Sequence, residues 1–293
     1  MELRQLEHFL AVVEEGSFSR AAARVFMVQS SLSASVLALE RHLGTELFIR
    51  GRRGAELTDA GLALVTPART VLAHANRARD AVGEVRGLLR GSVRIAALSV
   101  PRSIDIIETI RRFRTEHPGV EVQVLPADAR SMVDLVADGR VDFAITPWTD
   151  RIGSTLHFEP LLSTRLAVVC PAGHRLAGAT DVDPRELVEE SIIDLPQGWQ
   201  ARTLFDGVME EHGLARQVSL EVHDWFSVLA MTQRGMGISY GPRECIDVEA
   251  FGVGVATLAG GPLWELGIAS RDEALRGAAG RAFLAAYLEH CAN

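Results

Sequence analysis

The sequence contains no lysine, and all 30 of its basic residues are arginine. Cysteine is scarce: Cys170, Cys245 and Cys291 are odd in number and far apart. That excludes a disulfide framework and a cysteine-rich metal knuckle, leaving inert buried thiols as the expectation. The nine histidines are scattered and show no H-x-x-x-H or similar ligand spacing, so no metal and no cofactor is expected. No apolar run approaches the ~18 residues needed to span a bilayer. The N-terminal MELRQLEHFL has no charged, then apolar, then small-residue export pattern, so a cytoplasmic protein with no membrane partner is expected. Catalytic signatures are missing as well: there is no G-x-S-x-G elbow, phosphate loop or H-E-x-x-H. His223 and Asp224 are adjacent in sequence, and adjacent residues do not form a triad. The expectation is not an enzyme.

The length of 293 residues, with 47% hydrophobic and 23% charged residues, suits a globular protein of two or three domains. The net charge of −8 argues against a nucleic-acid partner until the chain is divided. Residues 1–90 hold 12 arginines against 10 acidic residues, net +2, whereas residues 91–293 hold 18 against 28, net −10. Any DNA contact therefore falls in the first 90 residues.

Within that segment Leu3, Leu6, Phe9, Leu10 and Val13 recur at helical spacing up to Gly16. Ser17 is a plausible cap for a second helix carrying Ala21, Ala22, Val25 and Phe26. Met27-Val28-Gln29 reads as a tight turn. In the next helix Leu32, Val36, Leu39 and Leu43 are spaced 4, 3 and 4 and share a buried face. The opposite face carries Ser30, Ser33, Ala34, Leu37 and Arg41, with Gln29 at the helix start. Serine hydroxyls suit base edges and phosphates, Ala and Leu suit thymine methyls, and Gln pairs bidentately with adenine. A solvated surface helix would share this composition. The residues after the helix favour the DNA reading. Gly44 ends the helix, Leu47-Phe48-Ile49 is extended, Arg50-Gly51-Arg52-Arg53-Gly54 is a basic loop, and Glu56-Leu57-Thr58 returns. That is a two-stranded wing whose tip arginines, Arg50, Arg52 and Arg53, suit phosphates or a narrow minor groove.

The stretches LRQLEHFLAVVEEGSFSRAAARV, QSSLSASVLALERHLGTELFIR and LTDAG resemble the LysR-type transcriptional regulators, and the chain agrees with them in length and order. The resemblance implies a winged helix-turn-helix in which Gln29, Ser30, Ser33 and position 34 face the major groove and an arginine of the 50–53 loop makes the wing contact. Two positions depart from the family pattern, which often has proline where Ser30 stands and arginine where Ala34 stands. The base preference of relatives therefore does not transfer.

Residues 59–89 read as one long helix. Leu64, Ala68, Val71, Ala75, Ala78, Val82, Val85 and Leu89 form a heptad seam, while Pro67 removes one backbone donor. The regularity favours pairing between chains, and the resemblance implies a dimerising linker helix, hence a homodimer or homotetramer. Gly87 and Gly91 mark the passage to the next domain.

From residue 92 apolar strands alternate with helical stretches, as in an α/β sandwich. Strands are expected at 93–98, 120–125, 141–146, 165–170, 192–195, 218–222, 238–241 and 264–270. A helix bearing Ile104, Ile107, Ile110 and Phe113 comes after the first strand, and others are expected at 132–137, 201–211, 226–234 and 274–290. Two crossings between lobes describe a two-lobed, periplasmic-binding-protein-like effector domain. The expected organisation is 1–58 winged helix-turn-helix, 59–90 linker, and 91–293 regulatory domain, with lobe 1 at about 91–162 and 268–293 and lobe 2 at about 163–267. Ligand atoms should meet strand carboxyl ends and helix N-termini. Those points hold Ser99, Val100, Pro101, Arg102, Ser131, Thr146, Trp148 and Trp199. Ser99 and Ser131 stand where relatives hold a small anion, and each also reads as a plain helix cap. Arg102 complements an anion or sits in solvent, and the two tryptophans wall a cleft or pack in the core.

A transport solute-binding protein would share the architecture of residues 92–293, but not the DNA-binding module or the missing export signal. A constitutive DNA-binding regulator with no effector is the alternative that the residues leave open. The expected function is a regulator whose binding to double-stranded DNA is modulated by a small-molecule effector, a small organic acid or an aromatic metabolite.

Overall fold

A computed structural model describes residues 1–49, 55–84, 89–97, 106–125, 127, 129–153, 156–271 and 277–292. Helices α1 (Leu3–Glu15), α2 (Phe18–Arg24) and α3 (Gln29–Leu43) enclose one core of Leu6, Phe9, Leu10, Ala21, Leu32, Val36 and Leu39. Gly16 (φ 59°) and Gly44 (φ 72°) end α1 and α3 in the left-handed region, where a side chain is disfavoured. Two residues depart from the expected apolar faces. Phe26 lies beyond the end of α2, at φ 55° and 97% exposed. Leu43 is 39% exposed because the core beneath α3 stops at Leu39. Ser17 does stand at the start of α2, but its side chain makes no capping bond.

Strands β1 (Phe48–Ile49) and β2 (Glu56–Leu57) pair antiparallel as the base of a wing, with Phe48 opposite Leu57. The tip, with Arg50, Arg52 and Arg53, lies outside the described residues. Helix α4 (Asp59–Glu84) then leaves the wing. Gly61 permits this junction, since a Cβ there would come within 2.2 Å of the Leu47 carbonyl oxygen. The heptad seam divides in a way the pattern does not indicate. Leu64 and Ala68 pack on the helix-turn-helix core of their own chain, together with Ala60, Val65 and Leu72. Leu89 packs on the core of the C-terminal half. Val71, Ala75 and Ala78 are exposed or half-buried and belong to neither core. The side chains of Val82 and Val85 fall outside the described ones.

Arg69, on α4, is buried and bridges the two halves. Its guanidinium lies 3.1 Å from Asp138 in the C-terminal half and 3.7 Å from Glu14 at the end of α1. Burial lowers its proton affinity and the two carboxylates oppose that.

The C-terminal half is built on a sheet ordered β10-β6-β11-β5-β3-β4, with β9 also on β6. Strand β3 (Gly91–Ala97) is parallel to both β4 (Val120–Leu125) and β5 (Phe143–Pro147). Strand β6 (His157–Pro171) is much longer than the expected 165–170. Its first half pairs with β11 (Leu263–Ser270), and its second half pairs with β9 (Ser239–Pro242) and β10 (Val253–Thr257). The segment HFEPLLST has no apolar alternation of its own and becomes strand only by adding to β11. Strand β10 is likewise absent from the expected set, its run being interrupted by Gly254.

Helix α10 (Ala278–Ala292) covers β3 and helix α5 (Ile106–Glu116) packs on β4 and on α10, with Phe113 and Phe283 edge-to-face at 5.0 Å. The buried face of α5 is Ile106, Thr109 and Phe113, whereas Ile107, expected inside, is 74% exposed. The short helix α6 (Ala129–Ala137) packs on β5. Beyond β6, the parallel strands β7 (Ser191–Asp194) and β8 (Gln217–Glu221) join helices α7 (Gln200–Glu211), α8 (Trp225–Gln233) and α9 (Val248–Phe251). Among the described residues no single helix is long and apolar enough to cross a membrane.

The fold beyond β6 is pinned by a buried ionic knot. Asp194, at the end of β7, accepts hydrogen bonds from Tyr240 and Arg216 and lies 3.4 Å from Arg202. Tyr240 stacks on Phe205 at 3.8 Å, and the Arg216 guanidinium lies over both rings. Burial, followed by the Asp194 charge, raises the Tyr240 hydroxyl far above the usual phenol range. Asp194→Ala strips the knot of its central anion, leaving Arg202 to Glu221 and Arg216 to Asp206. It should cost about 3 kcal/mol, the lower end for breaking a buried pair, read as a shift in the denaturant midpoint.

Candidate nucleic-acid interface and effector cleft

On α3, Leu32, Val36 and Leu39 are buried, Gln29, Ser30 and Ala34 are exposed, and Ser33 and Leu37 are half-buried. All five predicted reading residues therefore share the face turned from the core. The N-terminus of α3 follows Val28, which offers no side-chain acceptor; the Ser31 N–H donates to the Val28 carbonyl oxygen, and the N–H groups of Gln29 and Ser30 are left for an outside anion. No acidic side chain stands in that turn.

Three supporting features escape a reading of the sequence. Ser19 on α2 donates to Gln29 Oε1 at 3.0 Å and holds that side chain at the mouth of the helix. His8 and Ser35 share a 2.7 Å hydrogen bond that ties α1 to α3. Glu40, the one acid of α3, is buried, and its Oε1 accepts from the backbone N–H of Leu47 at 2.8 Å and of Phe48 at 3.3 Å. Its carboxylate therefore fixes the angle between recognition helix and wing. A lone glutamate beside an apolar seam reads as solvated, and nothing local announces that its partners lie beyond the end of its own helix.

Of the predicted effector residues, Ser99, Val100, Pro101 and Arg102 lie outside the described residues. Ser131 is half-buried near the start of α6. Thr146 is fully buried within β5, with its hydroxyl 3.4 Å from the Pro147 carbonyl oxygen. Trp199 stands at the N-cap of α7, half-buried in a cluster with Trp225, Ile193 and Leu195. Trp148 lines a cavity of about 410 Å³ where the end of β5, the start of α7 and the start of β11 meet. The structure thus brings Trp148 to the start of α7 and to Gln200, a residue of the expected 197–200 ligand point, and adds Thr149, Asp150 and Glu265 as wall residues that sequence did not single out. Gln200 donates through Nε2 to the Trp148 carbonyl oxygen and so joins the two sides of the cavity.

Burial pushes the Cys170 thiol up to about 11 and the Cys245 thiol up to about 12, so both stay protonated at neutral pH. The half-buried Cys291 is also raised by burial. Among the described residues no His, Cys, Asp or Glu are grouped to hold a metal ion.

A helix-turn-helix beside a wing, a long connecting helix and a two-lobed sandwich with a cavity define a helix-turn-helix regulator with a ligand-binding domain. Residues 3–62 match the model of the bacterial regulatory helix-turn-helix proteins of the lysR family, and residues 86–292 match that of the LysR substrate binding domain. The chain belongs to the LysR family of bacterial transcriptional regulators. It is 34% identical over 248 residues to the HTH-type transcriptional regulator ShiR of Corynebacterium glutamicum, covering 82% of each chain. Full-length CbnR complexed with its target DNA has the same fold, at a TM-score of 0.62 and 23% identity, covering 100% of this chain and 99% of that one. The effector binding domain of QuiR in complex with shikimate matches at a TM-score of 0.59 and 19% identity, covering 69% of this chain and 98% of that one.

Removing the Glu40 carboxylate leaves the Leu47 and Phe48 N–H groups unsatisfied and frees the wing. Glu40→Ala should cost about 2 kcal/mol of stability and weaken binding to any duplex. Glu40→Gln, which keeps one acceptor, should restore most of both, as measured by denaturation and by fluorescence anisotropy.

Proposed function

We propose that the protein is a homo-oligomeric, ligand-responsive regulator with three parts: residues 1–58 read DNA, 59–90 pair subunits, and 91–293 receive an effector. The lobes of the last part are taken as about 91–162 with 268–293, and about 163–267. Gln29, Ser30, Ser33, Ala34 and Leu37 meet base edges and methyl groups, and Arg50, Arg52 and Arg53 meet phosphates or the minor groove. Two such helices per dimer suit a near-palindromic site. The exposed middle of α4, at Val71, Ala75 and Ala78, is the surface offered to a second chain.

The observation that carries the effector reading is the cavity between the end of β5 and the start of α7, two elements on opposite sides of the crossing strands. A ligand there bridges both lobes and favours one relative position of the two, which shifts the subunit arrangement. A small organic acid or an aromatic metabolite is the ligand class proposed, supported by Trp148 in the wall and by the shikimate complex of QuiR, a protein of the same fold.

The test uses the full chain on a duplex recovered from a random-sequence pool. Footprints taken with and without a panel of organic acids and aromatic metabolites should change for at least one compound. A footprint and a melting temperature unmoved by every compound would favour the constitutive regulator instead. The wing has its own measurement. Alanine at Arg50, Arg52 and Arg53 should weaken binding to all sequences alike and reduce the salt slope by about 1 for each phosphate no longer neutralised. An unchanged slope removes the wing from the interface.

A further inference from the structure

Among the described residues, the walls of the cavity at the lobe junction carry unpaired negative charge. Gln200 commits its Nε2 to the Trp148 carbonyl oxygen, which fixes the amide, because turning it over would set two oxygens against each other. Among the described residues its Oε1 is buried with no partner, and so is Thr149 Oγ1, whose hydroxyl can donate as well as accept. Buried polar atoms are rarely left in that state unless something else meets them. The charges run the same way. Arg151, on the same wall, donates to Asp134 at 2.6 Å and is neutralised there. Asp150 and Glu265, also in the wall, form no ion pair among the described residues. Against this negative charge stands one positive feature among the described residues. The 12-residue helix α7 begins at the cavity with Gln200, and no side chain caps it, so its first-turn N–H groups and the positive end of its dipole face the same space. Trp148, held edge-on against Phe158 at 5.1 Å, supplies an apolar surface.

A plain carboxylic acid would satisfy the helix end but set a further anion beside two carboxylates. A plain amine would satisfy the acids and leave the helix end open. We propose that this cavity binds a zwitterionic α-amino acid. Its ammonium group is met by Glu265 and Asp150, its carboxylate by the first turn of α7, and its side chain by Trp148. This assignment rests on the effector reading and narrows it from small acids to amine-bearing ones. About 410 Å³ is room for one amino acid of any size with a few waters.

The experiment is a thermal-shift series on the full chain with three matched panels: the common L-amino acids, their 2-oxo acids and their decarboxylated amines. At least one amino acid should raise the melting temperature by several degrees at millimolar concentration. Its oxo acid and its amine should each need at least tenfold more ligand for the same shift. Glu265→Gln, which keeps shape and removes charge, should weaken the amino acid at least tenfold without moving the ligand-free melting temperature. If that variant melts lower by itself, the exposed Asp150→Asn makes the same measurement and should weaken the amino acid several-fold. An amine-free acid that stabilises the protein as strongly as any amino acid, and equally in Glu265→Gln, overturns the assignment and leaves the effector reading standing. Silence across all three panels, with a footprint that still responds to another compound, also overturns the amino-acid assignment alone. Silence to every compound overturns both.

Discussion

The antiparallel ladder between β6 and β11 is the constraint from which the C-terminal half is hung. It runs from His157 opposite Ser270 to Arg165 opposite Leu263, with a register shift between Leu266 and Gly267. On one side β11 continues into β5, β3 and β4, and on the other β6 continues into β9 and β10. Both lobes therefore share a single hydrogen-bonded path. They can twist about it but cannot separate without breaking backbone bonds that have no water to replace them. Gly267 sits at the shift because a Cβ there would lie 2.4 Å from the Glu159 carbonyl oxygen. The cavity opens beside this ladder, where a small change of twist alters the distance between the end of β5 and the start of α7.

The DNA-facing half is held together differently. Its core is a set of apolar side chains under three short helices, and the α3 face proposed to read DNA is made largely of small residues. Serines and alanine give little contact area, and the arginine that relatives often place at position 34 is absent. The short reach of this surface is offset by fixing its geometry: Ser19 holds Gln29, His8 holds α1 to α3, and Glu40 holds the wing. Preorganised polar contacts of this kind lose less entropy on binding than long flexible side chains would. If that face reads DNA as proposed, half-site spacing and DNA shape carry a larger share of the specificity.

Much of this is legible in the sequence, for identifiable reasons. The spacing of Leu32, Val36 and Leu39 fixes the buried face of α3, and the five reading residues are assigned from it by elimination. Glycines at 16 and 44 end helices because their backbone signal is local. The illegible parts require knowledge of a distant partner. The first half of β6 is strand because β11 lies beside it. Leu64 and Ala68 repeat at heptad spacing whether they meet their own chain or another, and periodicity carries no information about which. The phase of α5 is misread because three isoleucines at regular spacing include Ile107, which faces outward, while Thr109 takes the inner position. For the cavity, Trp148 is found by the rule that ligands gather at strand ends, whereas Glu265 is at the beginning of a strand and comes from 117 positions further along the chain.

Arg69 has a bearing on how freely such a protein can exchange its parts. Its guanidinium draws on one carboxylate from the first helix and one from the opposite half, so three stretches of chain must agree for a single buried charge to be tolerated. A hybrid that joins the DNA-binding half of one regulator to the sensing half of another is most simply designed around the linker alone. Here a graft that omits the acid of position 14 or 138 would leave a cation partly out of water and partly unpaired. Modularity in this architecture is therefore conditional: the halves are separable in sequence, but they are matched in charge across the seam where they touch.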